Sequence, residues 1–357
     1  MFPYYVLVIV PIALNVFLTF VNKNDKVNKY TISSFFLIYF LLLALRDLSI
    51  GTDLTSYISY YKQFGETRWN ALFESKVEPG YVLLCKIVYS TGANFQTFLA
   101  IVAAIEIIPI AVLYKNRTVD SVLEVLLFLN IGIFSMLFSG LRQSIAIALG
   151  AAAYSLLKQR SILSLIWFYL LAIVAVSMHK SAFILFVMPF LYYPKFTKKS
   201  LVFIVPILLV IFILKTQIYN YMLKLLPDDY SVYKMSKTNG YAMLLLYIIF
   251  AIFSFFIVED NKADNELYSL RNFLIFSIAI QSFAPISSVA MRFNFYYIIF
   301  IPLLVSKSIK YSRSNLGGLV SIARYVMITF FFIYFFYNAY TSADILSVFP
   351  YKFFWSN

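Results

Sequence analysis

The chain has 357 residues, 62% of them hydrophobic, against roughly 45–50% in soluble domains, and a mean hydropathy of +0.83. Its formal net charge is +13, but the basic residues are scattered through short polar breaks. That pattern excludes a nucleic-acid protein and suits orientation at a membrane surface and an anionic ligand. The single cysteine, Cys85, excludes an internal disulfide and a cysteine-based metal site.

Apolar runs of 15 to 22 residues recur along the whole length, which is what about 30 Å of hydrocarbon demands of a helix. A β-barrel would show alternating strands of about ten residues instead. The sequence therefore predicts an all-α polytopic membrane protein, with residues 1–357 as a single integral membrane domain. The opening run "MFPYYVLVIVPIALNVFLTF" has no positive segment ahead of it and no small-residue cleavage site, so it reads as a first span rather than a cleavable signal.

Further spans are expected near 31–45, 95–114, 121–139, 141–157, 162–178, 181–193, 200–214, 241–258, 272–288, 293–306 and 318–340, about twelve with the first. Residues 79–91, "PGYVLLCKIVYST", are too short to cross and carry Lys86, so they predict an interfacial or re-entrant helix. If they do not cross, the basic loops 21–30, 115–120, 158–160, 194–199 and 307–315 share one side, assigned to the cytoplasm. The outer side then receives the longer segments 46–94 and 215–240.

Polar breaks on that outer side carry the candidate chemistry. Segment 46–94 opens "RDLSIGTDLTSYISYYKQF", where Asp47 and Asp53 flank a Gly51 turn and Tyr57 follows. Carboxylates that bind hydroxyls beside rings that stack on C–H faces make a sugar site; a solvated loop with belt tyrosines is the alternative. Glu78 precedes Pro79, where an acidic residue suits a helix start.

"SGLRQS", "SMHKSA" and "SSVAMRFN" then place Arg142, His179 and Arg292 at outer ends of spans, with Arg46 as a fourth basic group. Arg142 and His179 are expected in first turns of helices, whose N-termini favour anions, and guanidinium adds bidentate phosphate recognition. Such groups would form a receptor for a lipid pyrophosphate; interfacial snorkelling is the structural alternative for each arginine. His179, the only histidine, can act as a general base toward a hydroxyl, or can simply cap a neighbour. Lys180 beside it suits a lipid or phosphate contact. Glu106 near the middle of a span needs protonation or a partner, for which Lys86 is one option.

No P-loop, HExxH, GxSxG, DxD pair or Cys/His metal spacing is present, so no metal site or cofactor is expected and the donor should arrive through the lipid. An Arg-Asp before "GTD" and a tyrosine, then "EPGY", "LRQSIAIAL" and "HKSAF", in that order between spans, resemble the EpsG-like, Wzy-type bacterial polysaccharide polymerases. The likeness runs from about residue 44 to 300. By motif position Arg46, Asp47 and Asp53 match the first signature, Arg142 and Gln143 the second and His179 the third, with Arg292 matched more loosely.

The resemblance implies a glycosyltransferase on the outer face of the bacterial inner membrane, serving O-antigen, capsule or exopolysaccharide synthesis. It would move a growing glycan from undecaprenyl-pyrophosphate to a hydroxyl of the next lipid-linked repeat unit, inverting the anomeric centre without a metal. Arg142 and Arg292, with Arg46, would hold the pyrophosphate, His179 would take the proton, and Asp47, Asp53 or Glu78 would position sugars. Membrane lipids and a chain-length regulator protein are further candidate partners. The rival readings are a flippase or exporter of the same lipid-linked oligosaccharide, disfavoured by the lack of an internal repeat, and a ligase-type lipid-glycan transferase.

Overall fold

In the computed structural model, residues 1–21, 26–224, 240–341 and 346–356 are described. They contain α-helices joined by short turns, and their only β-type pairings are isolated bridges at Arg46–Phe353 and Val258–Ser312. The chain divides into two compact units, Met1–Phe186 with Tyr325–Asn357, and Val187–Arg324.

The first unit holds α1 (Phe2–Val21), α2 (Lys26–Ala44), α3 (Leu54–Glu66), α4 (Pro79–Ser90), α5 (Phe95–Arg117), α6 (Ser121–Asn130), α7 (Ile133–Ser139), α8 (Leu141–Leu157) and α9 (Ile162–Met178). α8 packs on both α5 and α9 and is buried along nearly its whole length. Its run Ala146, Ala148, Gly150, Ala151 and Ala153 explains this, because small side chains let neighbouring helices approach closely where lipid supplies no hydrophobic drive. Phe35, Phe36 and Tyr39 of α2 interlock with Tyr114 and Phe128 through edge-on ring pairs.

The second unit holds α10 (Met188–Tyr192), α11 (Leu201–Ile213), α12 (Lys215–Lys224), α13 (Tyr241–Ile257), α14 (Asn265–Gln281), α15 (Ser288–Ile298) and α16 (Ile301–Lys310); α17 (Gly317–Thr341) starts here and runs on into the first unit. Buried Arg271 anchors it, donating to Asp260 Oδ1 at 2.8 Å and to the Ser254 carbonyl at 2.6 Å.

Among the described residues, four helices are long and apolar enough to cross a membrane: α1, α2, α5 and Ser314–Thr341. Two bent pairs, α6 with α7 at 56° and Lys198–Ile213 with α12 at 68°, raise that to six if each is one span. α8, α9, Lys180–Tyr192 and α13 are shorter apolar helices. The all-α membrane class stands on these elements; by length and composition four to six of them qualify as spans, and they do not establish the expected twelve.

Several boundaries differ from expectation. The helix expected at 272–288 runs from Asn265 to Gln281, because Asp264 accepts the Leu267 N–H at 2.8 Å and starts it earlier. Residues 293–306 break between α15 and α16, where Pro302 opens the second helix. Lys180–Val187 is a 3₁₀ stretch leading into α10. The short helix expected at 79–91 is α4. Inside segment 46–94 the structure adds α3, whose buried Leu54, Tyr57, Tyr61 and Phe64 mark one helical face. Of the expected outer segment 215–240, residues 225–239 lie outside the described residues.

Candidate active site

Three chain ends meet around one carboxylate in the first unit. Pro79 opens α4, its fixed φ suited to the first helical turn, and Glu78 sits at the N-cap. The Glu78 side chain does not cap its own helix. It turns instead toward the start of α8 and the end of α9.

Oε2 of Glu78 accepts a hydrogen bond from Nη1 of Arg142, in the first turn of α8. Oε1 accepts the backbone N–H of Lys180 at 3.1 Å and lies 3.2 Å from Nδ1 of His179, though not aligned for a full hydrogen bond. Burial opposes the charge of Glu78, yet His179, Arg142 and the Lys180 N–H together outweigh it and hold the carboxyl at about 2. Glu78 is thus an ionised hub, 5% exposed, that gathers one guanidinium and one imidazole.

Gly80 makes this meeting possible. A Cβ there would stand 2.3 Å from Oγ and 2.8 Å from the carbonyl oxygen of Ser177, so only glycine lets the first turn of α4 touch the last turn of α9. Tyr57 of α3 is buried, and its hydroxyl interacts electrostatically with Arg142. The Tyr60 ring centre lies 5.9 Å from the Arg142 guanidinium carbon, a cation–π distance. Arg142, with 23% of its side chain exposed, is therefore oriented from two sides.

The remaining predicted residues are placed differently. His179 ends α9 as its C-cap, with extended backbone, instead of opening a helix. Lys180 lends its backbone N–H to Glu78 while its side chain is exposed. Gln143 is buried in the same turn of α8. Asp47 accepts from both the N–H and the hydroxyl of Ser49, and those bonds lower its pKa. Asp53 is an exposed N-cap of α3. Between them Gly51 has φ of +97°, and a Cβ there would meet the Phe138 carbonyl oxygen at 2.2 Å. Tyr57 is buried within electrostatic reach of Arg142 and is not an open stacking face.

Arg46 is not an outward-facing arginine. It is 1% exposed, forms the bridge to Phe353, and its guanidinium lies over the Phe138 ring at 5.4 Å. Arg46 is an electrostatic neighbour of fully buried Glu106, but no ion pair or hydrogen bond joins the two among the described residues. Lys86, the partner expected for Glu106, instead donates to the Gly65 carbonyl at 2.7 Å. Arg292 is an exposed residue of α15 in the second unit. Sequence reasoning missed that Glu78 joins the "EPGY", "LRQS" and "HKS" signatures; the Pro-Gly after a carboxylate was the available signal.

These signatures carry a family assignment. The EpsG family model matches residues 29–353, nearly the whole chain. The chain belongs to the EpsG family. EpsG-like proteins are Wzy-type polymerases, so this EpsG-family chain is a membrane protein of the polysaccharide-polymerase kind, related to glycosyltransferases. No curated protein and no solved structure matches it.

Proposed function

We propose that this EpsG-family protein polymerises lipid-linked oligosaccharide repeat units at the outer face of the bacterial inner membrane. The donor is a growing glycan on undecaprenyl-pyrophosphate, and the acceptor is a hydroxyl of the next lipid-linked unit. The observation that carries the reading is the Glu78 hub, which brings an arginine and a histidine to one partly exposed place.

In this mechanism the acceptor oxygen attacks the anomeric carbon as the bond from that carbon to the pyrophosphate oxygen breaks. Attack opposite the leaving group inverts the centre. The acceptor proton passes to Nε2 of His179, whose other nitrogen faces Glu78. Arg142 stabilises charge on the departing pyrophosphate, the effect that usually contributes most in such sites. Arg292 is a second arginine proposed for that group. Asp47 and Asp53 are left to position sugars, while Glu78 holds His179 and Arg142 instead of a sugar. Arg46, fully buried, supports the fold around the first signature.

A deletion strain complemented with variants tests this on a glycan gel. Wild type should restore a polymer ladder, and His179→Ala should leave a single-repeat product with normal protein in the membrane. Glu78→Gln should shorten the ladder less severely than Glu78→Ala, because an amide oxygen can still accept the Lys180 N–H. A full ladder from His179→Ala overturns the base assignment. Loss of all surface glycan in the deletion strain points instead to a flippase or ligase.

A further inference from the structure

The second unit carries a separate open cleft of about 760 Å³, lined by Lys198, Lys199 and Arg313 with Thr197 and Ser314. We propose that it is a binding site for the phosphate headgroup of an anionic phospholipid. The basic-loop count of the sequence assigns both contributing loops, 194–199 and 307–315, to the cytoplasmic side.

The cleft is built by two loops tied to the end of α13. The Arg313 N–H donates to the Ile257 carbonyl at 2.9 Å, the Glu259 N–H donates to the Tyr311 carbonyl at 3.0 Å, and Val258 bridges Ser312. Lys198 Nζ lies 5.7 Å from the Phe256 ring centre, which draws the other loop to the same edge. Two carboxylates also line the cleft, but each has a cation of its own. Glu259 pairs with Lys262 at 2.8 Å and Asp260 with Arg271 at 2.8 Å. Glu259 also feels the charge of Arg313, yet Lys198, Lys199, Arg313, Lys262 and Arg271 together outnumber the two carboxylates. The opening therefore keeps surplus positive charge, with the hydroxyls of Thr197 and Ser314 available to phosphate oxygens. The lysines also sit in the first turn of the helix Lys198–Ile213, whose dipole adds to the same field.

What favours a lipid over a soluble anion is the helix that leaves the cleft. α11 has no buried residue, and Val202 and Phe203 are 70% and 74% exposed. Phe256, beside Lys198, is 55% exposed. An apolar wall thus rises directly from the cationic cleft, so one molecule with a phosphate head and acyl chains can meet both.

Native mass spectrometry and thermal unfolding of the full-length protein in detergent test the site. Phosphatidylglycerol should bind and raise the melting temperature more than phosphatidylcholine of the same chains. Lys198→Gln with Lys199→Gln should weaken that binding roughly ten- to thirty-fold, from about fivefold per lysine near an anionic headgroup. Lys26→Gln with Lys29→Gln, exposed lysines at the start of α2 in the first unit, should leave it unchanged. Equal response to phosphatidylcholine, equal loss in the two double variants, or no loss in the first would overturn the proposal. So would inorganic phosphate alone stabilising the protein as well as phosphatidylglycerol does, which would assign the cleft to a soluble anion.

Discussion

Gly80 and Ser177 approach so closely that a side chain on the glycine would overlap both the hydroxyl and the main chain of the serine. The hydroxyl can rotate away, but the backbone carbonyl at 2.8 Å cannot. Gly80→Ala should therefore push α4 from α9, part Glu78 from His179, and cost about 1–3 kcal/mol of stability. Adding Ser177→Ala should not restore function. A normal glycan ladder from Gly80→Ala would show that the contact does not set the site.

Glu78 gives the protein a distinct acid dependence. Its folded pKa, about 2, lies below the ordinary 4.5, so the carboxylate contributes stability that is fully present above pH 4.5 and is lost as pH falls through 2. The shift corresponds to about 3 kcal/mol. Thermal unfolding of wild type and Glu78→Gln in detergent should differ by a constant amount above pH 5. The two curves should converge between pH 4.5 and 2.

Arg142 has to satisfy Glu78, Tyr57 and, in the proposed reaction, a phosphate. A planar guanidinium can serve several acceptors at once, whereas an ammonium is a point charge. Arg142→Lys should fold, appear in the membrane at wild-type level, and lower the polymerisation rate about 10²–10³-fold. Rates measured with purified lipid-linked repeat units would separate this from a loss of protein.

Arg46 and Glu106 offer a test of the buried interior. Nε and Nη1 of Arg46 and both carboxylate oxygens of Glu106 lack hydrogen-bond partners among the described residues. No ion pair joins them among the described residues, and replacing buried polar groups of this kind by apolar residues of similar volume is neutral or stabilising by about 1–4 kcal/mol. Arg46→Met with Glu106→Leu should thus melt at or above wild type. A double variant that melts well below wild type would show that the two groups support the interior together.

Much of the architecture is legible in the sequence, because a membrane forces long apolar runs and leaves charges at their ends. Helices α1, α2, α5, α8 and α9 fall close to the expected spans for that reason. α3 was missed because its Tyr-rich polar face resembles a loop, although Leu54, Tyr57, Tyr61 and Phe64 repeat with helical spacing. α14 begins seven residues before the span expected at 272–288 and takes in Arg271, a charge that is tolerated there because it is buried and bonded to Asp260. At the site, the residue types were readable and their pairings were not. Glu78, Arg142 and His179 are separated by 64 and then 37 positions, so only packing through Gly80 reveals that they meet.

The bridge between Arg46 and Phe353 has a consequence in time. The Asp47 N–H donates to the Lys352 carbonyl, the Gly51 N–H to that of Ser347, and the Phe354 N–H to that of Leu45. The first signature leaves the ribosome some three hundred positions before the residues that set its shape. During synthesis that loop must wait, unfinished, in the membrane until the segment that braces it has been delivered.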